Sequence, residues 1–174
     1  MERNAIQKSI EVRQLGFGVR AFEMWAEGQR IATLDWPKCL SDYAVGVWGG
    51  DRWTFDRSGF FRDTVEVYGR SENIYATLHY DWFKDGVLQL QDGRKYRWQK
   101  TRYFCDEWTL SDGQGRVVFE IELWLHWFRR MGKIRYGEAT LEVRDLAVLS
   151  LAGWYLAYMH TEDVAVVVAV TSVI

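Results

Sequence analysis

In Tyr80-Asp81-Trp82-Phe83-Lys84-Asp85-Gly86-Val87-Leu88-Gln89-Leu90-Gln91-Asp92-Gly93-Arg94-Lys95-Tyr96-Arg97-Trp98, two Asp-Gly steps separate three runs of alternating apolar and polar residues. Alternation with a period of two marks a strand with one buried face, and Asp-Gly between two such runs marks a hairpin. Loop length then fixes the register. With Lys84-Asp85-Gly86 as a three-residue loop and Gly86 left-handed, Phe83 pairs with Val87, Trp82 faces Leu88 and Tyr80 faces Leu90. A two-residue Asp85-Gly86 turn would set Trp82 against Gln89 and Asp81 against Leu90, mixing polar groups into the apolar face. The three-residue loop is therefore preferred. Gln91-Asp92-Gly93, closed by Leu90 and Arg94, repeats the form and sets Leu88 opposite Tyr96.

The same reading extends toward the C-terminus. A loop at Arg102 to Phe104 sets Trp98 against Trp108, and a four-residue loop at Asp112 to Gly115 sets Leu110 against Val117. Arg130-Met131-Gly132, closed by Arg129 and Lys133, sets Phe119, Ile121, Leu123 and Leu125 opposite Val143, Leu141, Ala139 and Gly137. Six strands between Ile74 and Val143 then share one inner face carrying Leu78, Tyr80, Trp82, Leu88, Leu90, Tyr96, Trp98, Trp108, Leu110, Phe119, Ile121 and Leu123. Toward the N-terminus, weaker alternations predict strands near 11–15, 19–25, 29–36, 42–48, 51–57 and 63–69. Their turns are Glu27-Gly28, Gly49-Gly50-Asp51 and Ser58-Gly59. Ile31-Ala32-Thr33-Leu34-Asp35-Trp36 echoes Tyr75-Ala76-Thr77-Leu78 with Asp81-Trp82, a hint of duplication. About twelve antiparallel strands would leave two long bare edges in an open sheet, so the expected fold is an all-β closed barrel.

Alternation stops at Arg144. From there to Met159 the chain is apolar almost all round, which predicts a helix over about 145–159 buried on every side. It is short for a bilayer span, which needs about twenty residues. His160-Thr161-Glu162-Asp163 is expected to end it. For 161–174, Thr161 as the cap of a second helix and the β-branched Val164 to Val170 run as a strand stay as alternatives.

The 174 residues are 48% apolar and 16% aromatic, with ten Trp and one Pro, which excludes Pro-rich linkers and fits one domain over 1–174. A net charge of −2 argues against a nucleic-acid partner. Met1 to Leu15 has no signal-peptide core, so a cytoplasmic location and reduced Cys39 and Cys105 are expected. His79, His126 and His160 lack metal-ligand spacing, and no nucleophile elbow, phosphate loop or dinucleotide fingerprint occurs; Gly16-Phe17-Gly18 has no third glycine. The expectation is a non-enzyme with no catalytic residues, metal or cofactor.

The order of elements, the aromatic hairpin Asp92-Gly93-Arg94-Lys95-Tyr96-Arg97-Trp98 and the segment Leu146 to Tyr158 resemble the tubby C-terminal-like architecture, a group that includes tubby domains, LURP-one-related proteins and phospholipid scramblases. The resemblance covers almost the whole chain and implies a terminal helix threading the barrel and a binding or membrane-associated role. Tubby domains bind phosphoinositide headgroups through clustered basic residues, which cannot be matched position by position here. A scramblase-type calcium loop has no counterpart, so that activity is not implied.

The strongest electrostatic feature is Trp127-Phe128-Arg129-Arg130-Met131-Gly132-Lys133-Ile134-Arg135, with no Asp or Glu between Glu122 and Glu138. On the register above, Trp124, His126 and Phe128 point outward beside Tyr136 and Ile134. Outward aromatics among Arg129, Arg130, Lys133 and Arg135 suit an anionic phospholipid surface, where each cation adds roughly 1 kcal/mol. The candidate binding residues are therefore Trp124, Phe128, Arg129, Arg130, Lys133 and Arg135, with peripheral membrane association or a protein partner as the expected engagement. A solvated turn is the plain alternative. A second basic run, Arg94 to Arg102, places Lys95 and Arg97 outward and Tyr96 and Trp98 inward; a nucleic-acid or headgroup groove needs cations and aromatics on one surface, so the alternation favours a charged strand exterior. The competing function is an intracellular carrier of a small apolar ligand, which requires an open lumen and the helix outside it.

Overall fold

The computed structural model describes residues 9–38, 41–59, 63–80, 85–102 and 106–171. Twelve strands follow one another: β1 (Ser9–Gln14), β2 (Ala21–Ala26), β3 (Gln29–Asp35), β4 (Ala44–Trp48), β5 (Asp51–Ser58), β6 (Thr64–Tyr68), β7 (Ile74–Tyr80), β8 (Gly86–Leu90), β9 (Lys95–Arg102), β10 (Glu107–Ser111), β11 (Val117–His126) and β12 (Arg129–Tyr136). Each pairs with its sequence neighbours, and β1 pairs antiparallel with β12, so the sheet closes and no edge is left. In the first half the strand ends lie within two residues of the alternation in the sequence. Glu27-Gly28 and Gly49-Gly50 are two-residue turns with positive φ throughout.

The inner face follows the sequence reading. Leu78, Leu88, Leu90, Tyr96, Trp98, Trp108, Leu110, Phe119, Ile121 and Leu123 are buried and Tyr80 is half-buried; Trp82 lies outside the described residues, as do Cys39 and Cys105. The echo of β3 in β7 is structural to the extent that Ala32, Leu34, Ala76 and Leu78 are all buried.

Several pairings differ from expectation. Leu90 and Arg94 close the Gln91-Asp92-Gly93 turn as read, with Gly93 at a φ of 90° and Leu88 opposite Tyr96. Gly86, in contrast, lies in β8 opposite Tyr80, and Leu78 pairs with Leu88, so Gly86 is strand and not loop; Phe83 and Lys84 lie outside the described residues. A side chain on Gly86 would strike the His79 carbonyl, so this glycine serves strand approach and not a left-handed turn. Trp98 pairs with Leu110, and Leu110 with Phe119 across a bulge, each displaced by two residues. Even displacements preserve the faces, and the Trp98 and Trp108 rings still stack at 6.3 Å.

At β11–β12 the displacement is odd. His126 pairs with Arg129, and the turn is Trp127-Phe128, both left-handed at φ 47° and 63°. Arg130-Met131-Gly132 is therefore strand and not loop. Gly132 and Ile134 face the barrel interior, and Lys133 and Arg135 face outward, the reverse of the expected order. The segment 137–142 is not a paired strand opposite Leu125 to Phe119 but the link into the helix.

Helix α1 (Val143–Thr171) is continuous for 29 residues, about 43 Å at 1.5 Å per residue. Ala147 to Met159 are buried against strands all round the barrel. The expected break at 160–163 does not occur: the Thr161 hydroxyl donates to the Tyr158 carbonyl inside the helix instead of capping a new one. The charges are accommodated where they meet the barrel rim. Arg57 donates to both carboxylate oxygens of Asp163 at 3.1 and 2.8 Å, Arg130 lies 3.8 Å from Glu162, and Lys100 approaches His160 at 3.3 Å. At the opposite end Asp145, buried in the first turn, accepts from the Tyr75 hydroxyl at 2.7 Å and pairs with Arg94 at 2.6 Å. The carboxylate there also complements the positive end of the helix dipole.

Between Arg57, Tyr80, Trp98, Tyr155, His160 and Asp163 a cavity of about 20 Å³ remains, room for about one water. A helix lined by Trp154, Tyr155 and Tyr158 thus occupies the lumen.

Candidate functional site at one end of the barrel

Because strands alternate in direction, the β1–β2 loop (15–20), the Trp127-Phe128 turn and the C-terminal part of α1 all lie at one end of the barrel. Gln14 holds the first two together. Its Nε2 donates to the Val19 carbonyl at 2.7 Å and its Oε1 accepts from the Arg130 backbone N–H at 2.6 Å. With Gln14 only 7% exposed, both bonds are shielded, and a buried amide satisfied on both sides fixes its neighbours rigidly.

The clamp brings apolar side chains into the open. Phe17 and Phe128 meet edge to face with centroids 6.0 Å apart. Trp127 is 82% exposed, Phe17 76% and Phe128 71%, and Leu15 and Leu125 are exposed beside them. Scattered exposed apolar residues are ordinary, but three contiguous aromatic and flanking aliphatic residues on two tied loops form a patch. Arg129 sits in the same turn, exposed and without an ion-pair partner among the described residues.

The local geometry is uphill for these residue types. A type I′ turn needs φ > 0 at both central positions, which Asn-Gly accepts readily. A non-glycine residue there costs roughly 1–2 kcal/mol. Trp127 and Phe128 both occupy such positions. Unfavourable backbone at an exposed aromatic pair points to selection for something other than stability.

The six residues singled out in the sequence separate. Phe128, Arg129 and Arg130 lie at the barrel end. Arg130 is mostly covered and turned toward Glu162. Trp124 stands on the outer wall opposite Met131, 40% exposed. Lys133 and Arg135 lie farther along that wall. Arg135 donates to Glu122 at 2.8 Å and lies 3.8 Å from Glu120, while Lys133 is flanked in register by Glu122 and Glu11. Along the wall the cationic run is thus offset by acids on adjacent strands, while Arg129 at the turn is not. Phe17, Trp127, Leu125 and the bridging Gln14 carry the site without having been singled out. The available signal was the Trp-Phe pair followed by paired strands without an Asn or Gly between them.

Burial governs the titratable groups nearby. Tyr158, beside Arg20 and Glu162, has its phenol pushed up first by burial and then by the Glu162 charge; burial likewise raises the Tyr80 phenol to about 12. Neither is poised for proton transfer near neutrality. Among the described residues no cluster of three or more His, Cys, Asp or Glu could hold a metal ion, and no helix is long and apolar enough to cross a membrane.

No protein-family model matches the chain, and no curated protein matches it significantly. A solved structure is similar in fold. It is the X-ray structure of a protein from Arabidopsis thaliana, with a TM-score of 0.55 and 15% identity, covering 84% of this chain and 90% of that one. At that identity the likeness is one of fold alone.

Proposed function

We propose that the protein is a non-enzymatic, cytoplasmic binding module that docks peripherally on anionic phospholipid surfaces through the end of the barrel formed by Phe17, Trp127 and Phe128. The observation that carries this reading is the pair of bulky aromatics held exposed in a turn whose backbone disfavours them. Inserting Trp127 and Phe128 at a membrane interface would contribute about 1.5–3 kcal/mol each, and Arg129 roughly 1 kcal/mol on an anionic surface. Lys133, Arg135 and Trp124 are secondary on this reading, since the wall cations already face carboxylates.

The filled lumen favours a docking role over carriage of an apolar ligand, which would need the space that α1 occupies. A helix enclosed by twelve strands also supports the proposed kinship with tubby-like barrels. Co-sedimentation with vesicles of mixed phosphatidylserine and phosphatidylcholine tests the proposal. The protein should pellet with the vesicles, and the double substitution Trp127→Asn with Phe128→Gly should abolish it. No pelleting at low salt, or pelleting unchanged by the substitutions, overturns the reading.

A further inference from the structure

A second surface lies on the barrel wall, away from the aromatic end. The β10–β11 turn curls beside β9 to form one bank, His79 on β7 forms the other, and between them runs an open groove of about 920 Å³. Cross-strand register sets its floor: His79 is opposite Val87, Val87 opposite Arg97, and Arg97 opposite Ser111. Lys95 and Arg97 stand on it two residues apart on one strand face, both exposed, with Gln99 next in the row.

The charges in the groove are unequal in their engagement. Asp112 accepts hydrogen bonds from the backbone of Gln114 and Arg116 and from the Arg116 side chain, and Asp85 accepts from the Lys100 backbone N–H. The side chains of Lys95 and Arg97 make no ion pair or hydrogen bond among the described residues, in contrast to those of Arg94, Lys100 and Arg116 around them. An exposed Val87 lies between the banks.

We infer that this groove binds an extended acidic peptide segment of a partner protein. Alternate residues of β9 place the two cations about 6.6 Å apart on one side, and an extended chain presents its own alternate side chains at the same spacing. An acidic-x-acidic segment lying along β9 would meet Lys95 and Arg97 with successive carboxylates. Its intervening side chains would project from the other side. Gln99, His79 and Ser111 offer hydrogen bonds to its backbone, and the length and openness of the groove suit a chain more than a compact ion. Rim-type charge contacts of this kind govern which partner is accepted and how fast it associates.

The test uses the full chain and a fluorescein-labelled Asp-Thr-Asp-Thr-Asp-Thr peptide, followed by fluorescence anisotropy at low salt. The peptide should bind, its Lys-for-Asp counterpart should not, and Lys95→Gln with Arg97→Gln should weaken binding by at least about tenfold. Both sites are exposed, and unchanged circular dichroism confirms folding. Trp127→Asn with Phe128→Gly should leave peptide binding intact, which separates this groove from the membrane-docking end. No binding, binding indifferent to the Lys95 and Arg97 substitutions, or binding lost with the Trp127 and Phe128 substitutions overturns the inference. So does vesicle or inorganic phosphate binding that requires Lys95 and Arg97 while the peptide fails to bind.

Discussion

Gly132 on β12 lies directly beneath the Trp154 indole of α1, so close that a Cβ added to the glycine would overlap the ring. The barrel wall is thinned to backbone there so that the largest helix side chain fits. Gly153 and Gly46 make the reciprocal approaches, to Phe119 and Ile121 and to Leu151 and Phe55. Gly132→Ala is expected to lower stability by about 1–3 kcal/mol through overpacking. Trp154→Ala is expected to cost about 3–5 kcal/mol through the cavity it leaves. Urea unfolding of the two variants measures both, and a combined Gly132→Ala, Trp154→Ala chain destabilised by less than the sum of the two would show that they share one contact.

The strained turn gives a prediction in which stability and function move in opposite directions. Replacing Trp127-Phe128 by Asn-Gly removes two left-handed bulky residues and should raise stability by about 1–2 kcal/mol in chemical denaturation. The same change should abolish pelleting with anionic vesicles. A turn kept only for folding would show the first effect without the second.

The tie at the start of α1 is sensitive to alkali. Burial, reinforced by the hydrogen bond to Asp145, raises the Tyr75 phenol from 10.0 to about 12. Since the folded state holds that proton more tightly than the unfolded chain, the stabilisation is complete below about pH 10 and is lost as the pH rises through about 12. Tyr80, raised to about 12 chiefly by burial, adds to the same window. Stability should therefore fall between these pH values, and Tyr75→Phe should flatten the fall. At neutral pH Tyr75→Phe should also cost about 1–3 kcal/mol, because Asp145 loses a donor in a buried site.

At the other end, Arg57 is almost fully buried and its strongest partner is Asp163. Asp163→Asn should destabilise the protein by about 3 kcal/mol by leaving the guanidinium poorly compensated. Native-state hydrogen exchange should speed up first in α1 around Tyr155 to Asp163 and leave Asp145 to Leu149 protected. Equal acceleration along the whole helix would show that the clamp is not local.

Most of the fold can be read from local pattern. Alternation locates β1 to β11 and implies a twelfth strand, whose bounds it misplaces, and the unbroken apolar run from Leu146 to Met159 implies burial on every side. Even errors of register, four residues at β7–β8 and two at β9–β10, leave the inner face intact, since an even displacement returns each side chain to the same side. The error at β11–β12 is of a different kind. Gly132 is the more natural turn residue, and propensity alone assigns it there. At its strand position a Cβ would overlap the Trp154 indole, 22 positions away, and the Glu122 carbonyl, contacts that local propensity does not register.

The candidate site depended on the same non-local terms. Arg129 to Arg135 is a run of cations only along the chain; across the sheet, Lys133 and Arg135 face Glu11, Glu120 and Glu122. The side-chain amide of Gln14, more than a hundred residues from Arg130, ties Phe17 to Phe128. The sequence by itself determined the strands, the inner face and an enclosed helix, because these follow from periodicity and from the free energy of burying apolar surface, which act within a few residues. Only the tertiary structure decided which charges are neutralised, how far the helix extends past His160 and which aromatics stay exposed. Those outcomes depend on pairings across the closed sheet, where distance along the chain has no bearing on distance in space.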